Sequence, residues 1–180
     1  MVGIILRGFV KPRRIYVAEI RNPRNPTSLM FSIFKKKKKQ FFTDAEEKQI
    51  MAAIKTAERT SSGEIRVFVE SNCVGTVEKR TVEVFKKLKM QRTRERNGVL
   101  VYLATDSRHF AVFGDEGIHK KMGFQFWTSE AATFKTALAN GDTLGGICQV
   151  IFDIGEGLKT HFPHTSDDKN ELSDKPVYGD

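Results

Sequence analysis

Residues 97–117, NGVLVYLATDSRHFAVFGDEG, carry the strongest indication of the architecture. Its two apolar runs, residues 98–104 and 109–113, are separated by four polar residues at 105–108. This pattern predicts two antiparallel strands joined by a short turn. The first run is apolar at odd and even positions alike, which is typical of a strand covered on both faces. We therefore predict that residues 98–104 lie in the middle of the sheet of a layered α/β protein.

The segments around this stretch predict the remaining layers. Residues 64–70 alternate apolar and polar side chains, which indicates a strand nearer a sheet edge. A predicted helix at residues 77–89 joins the two strands, so they should be parallel with a right-handed crossover. Further helices are predicted at residues 44–60, 117–123, 128–139 and 143–161. Together these elements predict a single-domain, three-layer α/β/α sandwich around a small mixed sheet.

Charge is distributed unevenly along the chain. The net charge is +8, but residues 1–40 carry eleven Lys or Arg and only one acidic residue, whereas residues 164–180 hold five acidic residues and two lysines. We therefore expect a disordered basic leader over residues 1–40, the folded domain over residues 41–163 and a disordered acidic tail over residues 164–180. Residues 1–29 are interpreted either as a start-site artefact or as a transit-like leader.

Composition also limits the partners that we expect. The five lysines from Lys35 to Lys39 predict either a solvated linker or a weak contact with an anionic membrane surface. No aromatic stacking platform accompanies them, so nucleic-acid binding is not expected. No apolar run reaches the roughly 18 residues of a membrane-spanning helix. Cys73 and Cys148 show no CxxC spacing, which predicts free thiols in a reducing compartment. We expect a cytoplasmic monomer.

The predicted topology brings polar residues from three segments to one edge of the sheet. Two strands start at this edge and the third finishes there, so Glu64, Asn97, Asp115 and Glu116 should share one rim. The N-terminus of the helix that follows should offer free amides to an anion. Carboxylate and amide oxygens suit a hard divalent cation, Ca²⁺ or Mg²⁺, with Asp115, Glu116 and Glu64 as the predicted ligands. Such a cation could bridge to a phosphate and activate a water.

A structural interpretation of the same residues stays open. Glu64 could form a surface ion pair with Arg96, and Asp115 could only cap the helix that follows it. The opposite rim, with residues 72–73 and 105–107, favours ordinary loop and turn roles. The sequence contains no nucleotide-cofactor fingerprint, no phosphate-cradling glycine motif and no histidine spacing that indicates a metal.

Three motifs resemble those of the TPM domain family in order and spacing: TSSGEIRV at residues 60–67, RNGVLVY at 96–102 and VFGDEGI at 112–118. The resemblance covers about residues 41–162, and the acidic tail is similar to that of small stand-alone bacterial members. It implies an α/β/α sandwich. It also implies a phosphatase label, which comes from plant thylakoid relatives, and calcium binding, which is reported for some members. The matching polar positions are Glu64, Asn97, Asp115 and Glu116.

Two functions follow as hypotheses. The first is a cation-assisted, acid-phosphatase-like hydrolase, in which Asp115 and Glu64 ligate the cation or act as acid and base, while Asn97 orients the substrate. The second is a non-catalytic module that binds a protein partner through the same rim or through the acidic tail. The converging carboxylates favour the first hypothesis. The absence of a nucleophile motif from the sequence favours the second.

Overall fold

The order of strands and helices follows the sequence prediction closely. The computed structural model describes residues 15–19, 41–164 and 173–179, and at residues 15–19 it describes only the backbone. The strands are β1 (Ile15–Glu19), β2 (Ile65–Glu70), β3 (Val99–Ala104), β4 (His109–Gly114) and β5 (Val177–Tyr178). The helices are α1 (Asp44–Glu58), α2 (Val77–Lys87), α3 (Glu116–Ala139) and α4 (Thr143–His161). A short 3₁₀ turn, Met90–Arg92, lies between α2 and β3.

The strands form one mixed sheet in the order β1-β4-β3-β2-β5. The central strand is β3, which is parallel to β2 and antiparallel to β4, as predicted. In this register Val99 lies beside Ile65 on one side and Gly114 on the other. The first residues of β2 and β3 and the last residue of β4 therefore meet at one edge of the sheet.

Helices cover both faces of β3, and every residue of this strand is buried. On one face Val99, Val101 and Leu103 pack in a core with residues of α1, α3 and α4. On the other face Leu100 and Tyr102 pack with residues of α2 and with the 3₁₀ turn. The chain is thus the single-domain α/β/α sandwich that the two-faced apolar pattern predicts.

Helix α3 differs in detail from the prediction. The sequence predicts two helices here, over residues 117–123 and 128–139. The structure confirms the break between two helical segments, at Gly123, but the second segment begins at Phe124 rather than at Thr128, whose hydroxyl donates to the Phe124 carbonyl at 3.2 Å. The reason is Gly123, whose φ of 73° interrupts the helix for a single residue. A glycine adopts this left-handed conformation without strain, so the second helical segment begins at once.

Two strands lie in segments for which we expected disorder. β1 pairs with β4, with Ile15 opposite Phe113, and β5 pairs with β2, with Val177 opposite Phe68. At these residues the structure corrects the expectation, because strand pairing at the end of a sheet relies on backbone hydrogen bonds that leave no periodic signal in sequence. Residues 1–14, 20–40, 165–172 and 180 lie outside the described residues, so the remaining expectations for the leader, including Lys35 to Lys39, and for the tail are not addressed.

Two predictions from composition concern the cysteines and the membrane-spanning helices. Cys73 and Cys148 are free cysteines, as predicted. In the described part of the chain, no helix combines the length and the apolar character needed to cross a membrane.

Candidate functional site

The edge where β2 and β3 begin and β4 ends carries the predicted site. We call it the amino-end rim and define it as residues 62–64, 93–98 and 115–118. The Val99 amide donates to the Glu64 carbonyl at 2.7 Å, and the Asp115 amide donates to the Gly98 carbonyl at 2.9 Å. These bonds bring the three segments together, as the topology predicted.

The four predicted site residues do not share one environment. Glu64, Asn97 and Asp115 are buried, with exposed fractions of 5%, 1% and 2%. Glu116 is exposed, and its carboxylate pairs with the Lys120 ammonium at 2.7 Å, one turn along α3. The side chains of Asp115 and Asn97 have no hydrogen-bond partner in common within the described part of the chain. All four residues therefore lie on the rim, but Glu116 is exposed whereas Glu64, Asn97 and Asp115 are buried.

Asp115 forms a two-point ion pair with Arg96. The Arg96 Nε atom donates to Asp115 Oδ2 at 2.5 Å, and a guanidinium η nitrogen donates to Oδ1 at 2.8 Å. The same Oδ1 accepts the Glu116 amide at 2.9 Å, so Asp115 also caps α3. Hydrogen bonding to Asp115 raises the pKa of Arg96. The capping alternative is thereby confirmed, and the described ion pair of Arg96 is with Asp115 rather than with Glu64.

The first amides of α3 are not free. The carbonyl of Arg96 accepts the amides of Gly117 at 2.9 Å and Ile118 at 3.3 Å. This contact requires glycine, because a Cβ atom on Gly117 would lie 2.1 Å from the Glu95 carbonyl oxygen. The prediction that this helix N-terminus offers free amides to an anion is therefore wrong. A loop carbonyl already occupies the place that an anion would take.

Ser62 is at the centre of a hydrogen-bonded network that joins two segments of the rim. Its hydroxyl donates to Glu95 Oε2, and its oxygen accepts the Asn97 amide Nδ2 at 3.1 Å. Ser62 is partly exposed and Glu95 is exposed, so the network reaches solvent at one end and the buried Asn97 at the other. Neither Ser62 nor Glu95 is among the site residues predicted from the sequence.

The buried end of this network is incompletely bonded. The backbone amide of Asn97 donates to Thr93 Oγ1 at 3.2 Å, and its Nδ2 atom donates to Ser62. The remaining polar atom, Asn97 Oδ1, is buried and has no hydrogen-bond partner among the described residues. A buried acceptor of this kind is uncommon in folded proteins, and it indicates a place for a donor from a water or a ligand.

Glu58, at the end of α1, lies against the same rim. Its Oε1 atom accepts the Ile65 amide at 2.7 Å. Burial, together with the charges of Glu64 and Asp174, raises the pKa of Glu58 to about 8, although the Ile65 bond and Arg66 act in the opposite direction. Glu58 is thus mostly protonated at neutral pH, and it reduces the negative charge of this end of the sheet.

The predicted cation site does not form in this arrangement. Among the described residues, no three His, Cys, Asp or Glu side chains are grouped so that they could hold a metal ion. Both oxygens of Asp115 accept from Arg96, and Glu116 pairs with Lys120. The donor set Asp115, Glu116 and Glu64 therefore does not fit Ca²⁺ or Mg²⁺ here, and no step proposed below passes through a cation.

A basic loop precedes the rim. From the last turn of α2 to the first residues of the rim, five basic side chains are exposed: Lys86, Lys87, Lys89, Arg92 and Arg94. None of the five forms an ion pair within the described part of the chain. The loop is fixed from beneath by Met90, which is fully buried, and by the buried Thr93. A rigid, positively charged surface therefore adjoins Glu95 and Asn97.

The opposite edge carries a second polar cluster, which we call the carboxyl-end rim: residues 70–73 and 102–107 with Arg80. Arg80 donates to Glu70 from Nε at 2.8 Å and from an η nitrogen at 2.5 Å, and the Tyr102 hydroxyl donates to Glu70 at 2.5 Å. Burial raises the pKa values of Tyr102 and of the neighbouring Cys73. The Cys73 amide donates to Ser107 Oγ at 2.9 Å. These bonds tie α2 and two loops to the sheet.

Three comparisons relate the chain to known proteins. The model of the TPM domain family matches residues 36–156. The NMR structure of the BA42 protein from the psychrophilic bacterium Bizionia argentinensis is similar, with 36% sequence identity, coverage of 79% of this chain and 99% of that one, and a TM-score of 0.74. The N-terminal domain of the cg2496 protein from Corynebacterium glutamicum shares the fold, with 15% identity, coverage of 74% and 88%, and a TM-score of 0.54. No curated protein matches the chain.

Proposed function

The chain belongs to the TPM domain family, and from that premise we propose that its amino-end rim binds and hydrolyses phosphoesters. The observation that carries this proposal is the basic loop. Five exposed cations lie on the segment that also delivers Glu95 and Asn97 to Ser62. A phosphate group is attracted to such a surface over several ångströms, and lysine and arginine side chains bind its oxygens directly.

Arg96 is the cation best placed to hold a phosphate oxygen. Its side chain is 39% exposed although Asp115 binds two of its nitrogens. A guanidinium group has five N–H donors, so several remain for a ligand after the two bonds to Asp115. We assign Asp115 a positioning role, because its oxygens hold Arg96 and the first turn of α3. Asn97 and the buried Glu64 keep the roles proposed from the sequence, in orienting the substrate and in proton transfer.

The test is turnover of p-nitrophenyl phosphate by the full chain. We expect slow hydrolysis that Arg92→Ser/Arg94→Ser reduces mainly by raising KM, since the loop attracts the substrate. The matched control, Lys48→Ser/Lys79→Ser, removes two exposed charges outside the loop and should leave KM unchanged. Wild-type protein that hydrolyses no faster than buffer, across several phosphomonoesters, would end the catalytic proposal.

A second candidate function is binding of a protein partner without catalysis. The observation that favours it is that Arg96 neutralises Asp115 and Lys120 neutralises Glu116, so the five exposed basic side chains of the loop outnumber the exposed carboxylate of Glu95 beside them. Such a surface fits an acidic segment of a partner. The acidic tail is the other segment proposed to bind a partner, but its residues 165–172 lie outside the described part of the chain. Binding of an acidic peptide without turnover, weakened by the two loop substitutions, would support this function.

A further inference from the structure

Ser62 has the surroundings of a nucleophile. A serine hydroxyl carries one proton, and here it donates that proton to the carboxylate of Glu95, which can only accept. The Ser62 oxygen must therefore accept from Asn97, which fixes the amide of Asn97 with Nδ2 towards Ser62 and leaves Oδ1 as the unpartnered atom. Nucleophile, base and orienting group are thus linked in one network.

The position of Ser62 is held from two sides. Its backbone amide donates to the Phe162 carbonyl at 2.9 Å. Gly63, next in the chain, packs so tightly on α4 that a Cβ atom there would lie 2.2 to 2.9 Å from the Leu158 side chain. The short segment before β2 therefore has little freedom to move, and the hydroxyl has a defined place.

The partners of Ser62 come from a strained turn. Arg96 has a φ of 55°, a left-handed conformation that is uncommon for a residue with a side chain. This turn lets Glu95 and Asn97, on either side of Arg96, both bond to Ser62, while Arg96 itself pairs with Asp115. Strain of this kind persists where surrounding contacts enforce it, and it often occurs at functional sites.

We propose that Ser62 is the nucleophile of the phosphoester hydrolysis proposed above, with Glu95 as its general base; this inference rests on that function. The Ser62 oxygen forms a bond to phosphorus as the bond from phosphorus to the alcohol oxygen breaks. Glu95 takes the Ser62 proton and gives it to the departing alcohol. Water then attacks the phosphoserine, Glu95 takes a proton from that water and returns it to the Ser62 oxygen, and inorganic phosphate leaves. A carboxylate suffices as base because phosphoryl transfer needs little proton removal before its transition state.

The unpartnered Asn97 Oδ1 has a role in this scheme. It belongs to the amide whose Nδ2 atom binds Ser62, so a donor at Oδ1 would be held close to the hydroxyl. Either the attacking water or a protonated phosphate oxygen supplies such a donor. Asn97 then places the reacting group while it orients the nucleophile.

The test uses the full chain and two chemical probes. In the first, protein turning over p-nitrophenyl phosphate is quenched in acid and its tryptic peptides are searched for phosphoserine. In the second, the protein reacts with diisopropyl fluorophosphate, which labels nucleophilic serines without needing turnover. Ser62→Ala is compared with Ser61→Ala, a matched change at the neighbouring buried serine, and thermal melts check that both variants fold.

We expect both labels on Ser62 and none on Ser61. Turnover should fall on the order of 100-fold or more in Ser62→Ala and in Glu95→Gln, and should persist in Ser61→Ala. Turnover that survives in Ser62→Ala overturns the role of Ser62 while the proposed function stands. Labelling of Ser62 without turnover supports the nucleophile and overturns hydrolysis, and the absence of both labels and turnover overturns both.

Discussion

The amino-end rim and the carboxyl-end rim both contain an ion pair between a buried carboxylate and an arginine, but the surroundings of the two pairs differ. At each rim a buried carboxylate accepts two hydrogen bonds from an arginine: Asp115 from Arg96, and Glu70 from Arg80. At the carboxyl-end rim Glu70 also accepts from Tyr102, and Arg80 is 22% exposed. At the amino-end rim the arginine is 39% exposed, and the neighbouring Asn97 keeps a buried atom without a partner. A cluster in which the buried polar groups bond to one another indicates a structural role. A cluster with a more exposed arginine and an unpartnered buried atom has groups left that can bind a ligand.

The largest expected effect tests the Glu70 cluster at the carboxyl-end rim. Glu70→Ala should lower the free energy of unfolding by about 3 kcal/mol, because the Arg80 guanidinium and the Tyr102 hydroxyl then lose their hydrogen-bond partner. Urea denaturation measures the change. The control is Glu83→Gln, which alters the exposed second partner of Arg80, 3.6 Å away, and should change stability by less than about 0.5 kcal/mol. Equal effects of the two variants would show that the Glu70 cluster contributes no more to stability than an exposed ion pair.

A pH effect of intermediate size tests the amino-end rim. The pKa of Glu58 is about 8 in the folded chain against an ordinary value of 4.5, so between these pH values the folded protein keeps a proton that the unfolded chain has released. Its contribution to stability is complete below pH 4.5 and is lost as pH rises through about 8, by on the order of 2 kcal/mol after allowing for partial exposure. Thermal melts at a series of pH values should show this decline.

Two variants separate the groups responsible for that decline. Glu58→Gln should flatten part of it. Glu130 has a pKa of about 8 through burial and the adjacent Asp153, so it acts in the same direction from the contact of α3 with α4. Glu130→Gln should flatten the remainder. A decline that is unchanged in the double variant would contradict the assignment to these two carboxyls.

Asp115→Asn should cost less than the change at Glu70. The loss is expected to be about 1.5 kcal/mol, since Arg96 can remain solvated when its partner is removed and the asparagine oxygen can still cap α3. Chemical denaturation compares it with Glu116→Gln, which breaks only the exposed pair with Lys120. A loss as large as that of Glu70→Ala would mean that the Asp115–Arg96 pair stabilises the fold as strongly as the Glu70 cluster does.

The smallest expected effect concerns divalent cations. Because Arg96 holds both oxygens of Asp115, Ca²⁺ and Mg²⁺ should bind the full chain weakly, with NMR shifts at Glu64 and Asn97 only at concentrations of about a millimolar or more. Arg96→Gln should strengthen binding because it releases the Asp115 carboxylate. Tight binding to the wild-type chain would contradict this expectation and would show that the ion displaces Arg96 from Asp115.

The sequence predicts the fold well where burial is regular. The apolar positions on both faces of residues 98–104 can only be satisfied by two covering layers, and the turn at 105–108 sets the direction of β4. β1 and β5 were not predicted, because each is an edge strand held to the sheet through backbone pairing. The second segment of α3 began early because a single glycine suffices to break and restart a helix.

The candidate site was predictable in its location and unpredictable in its bonding. Topology alone places Glu64, Asn97 and Asp115 at one rim. The choice of Arg96 as the partner of Asp115, and of Ser62 as the partner of Asn97, depends on the left-handed backbone of Arg96 and on the close approach permitted by Gly117. Neither feature has a signature in the pattern of apolar and polar residues.

The position of β5 has a practical consequence for recombinant work. The family match ends at residue 156, and a fragment cut there, or at residue 163, would lack the strand that pairs with Phe68 and Val69. The outer backbone groups of β2 would then be open to a strand of another molecule, which is a recognised cause of aggregation. Fragments should therefore extend through Gly179, whose amide makes the last described bond to β2, at 2.8 Å. A purification tag at the carboxyl terminus needs a spacer so that it does not pull this strand away.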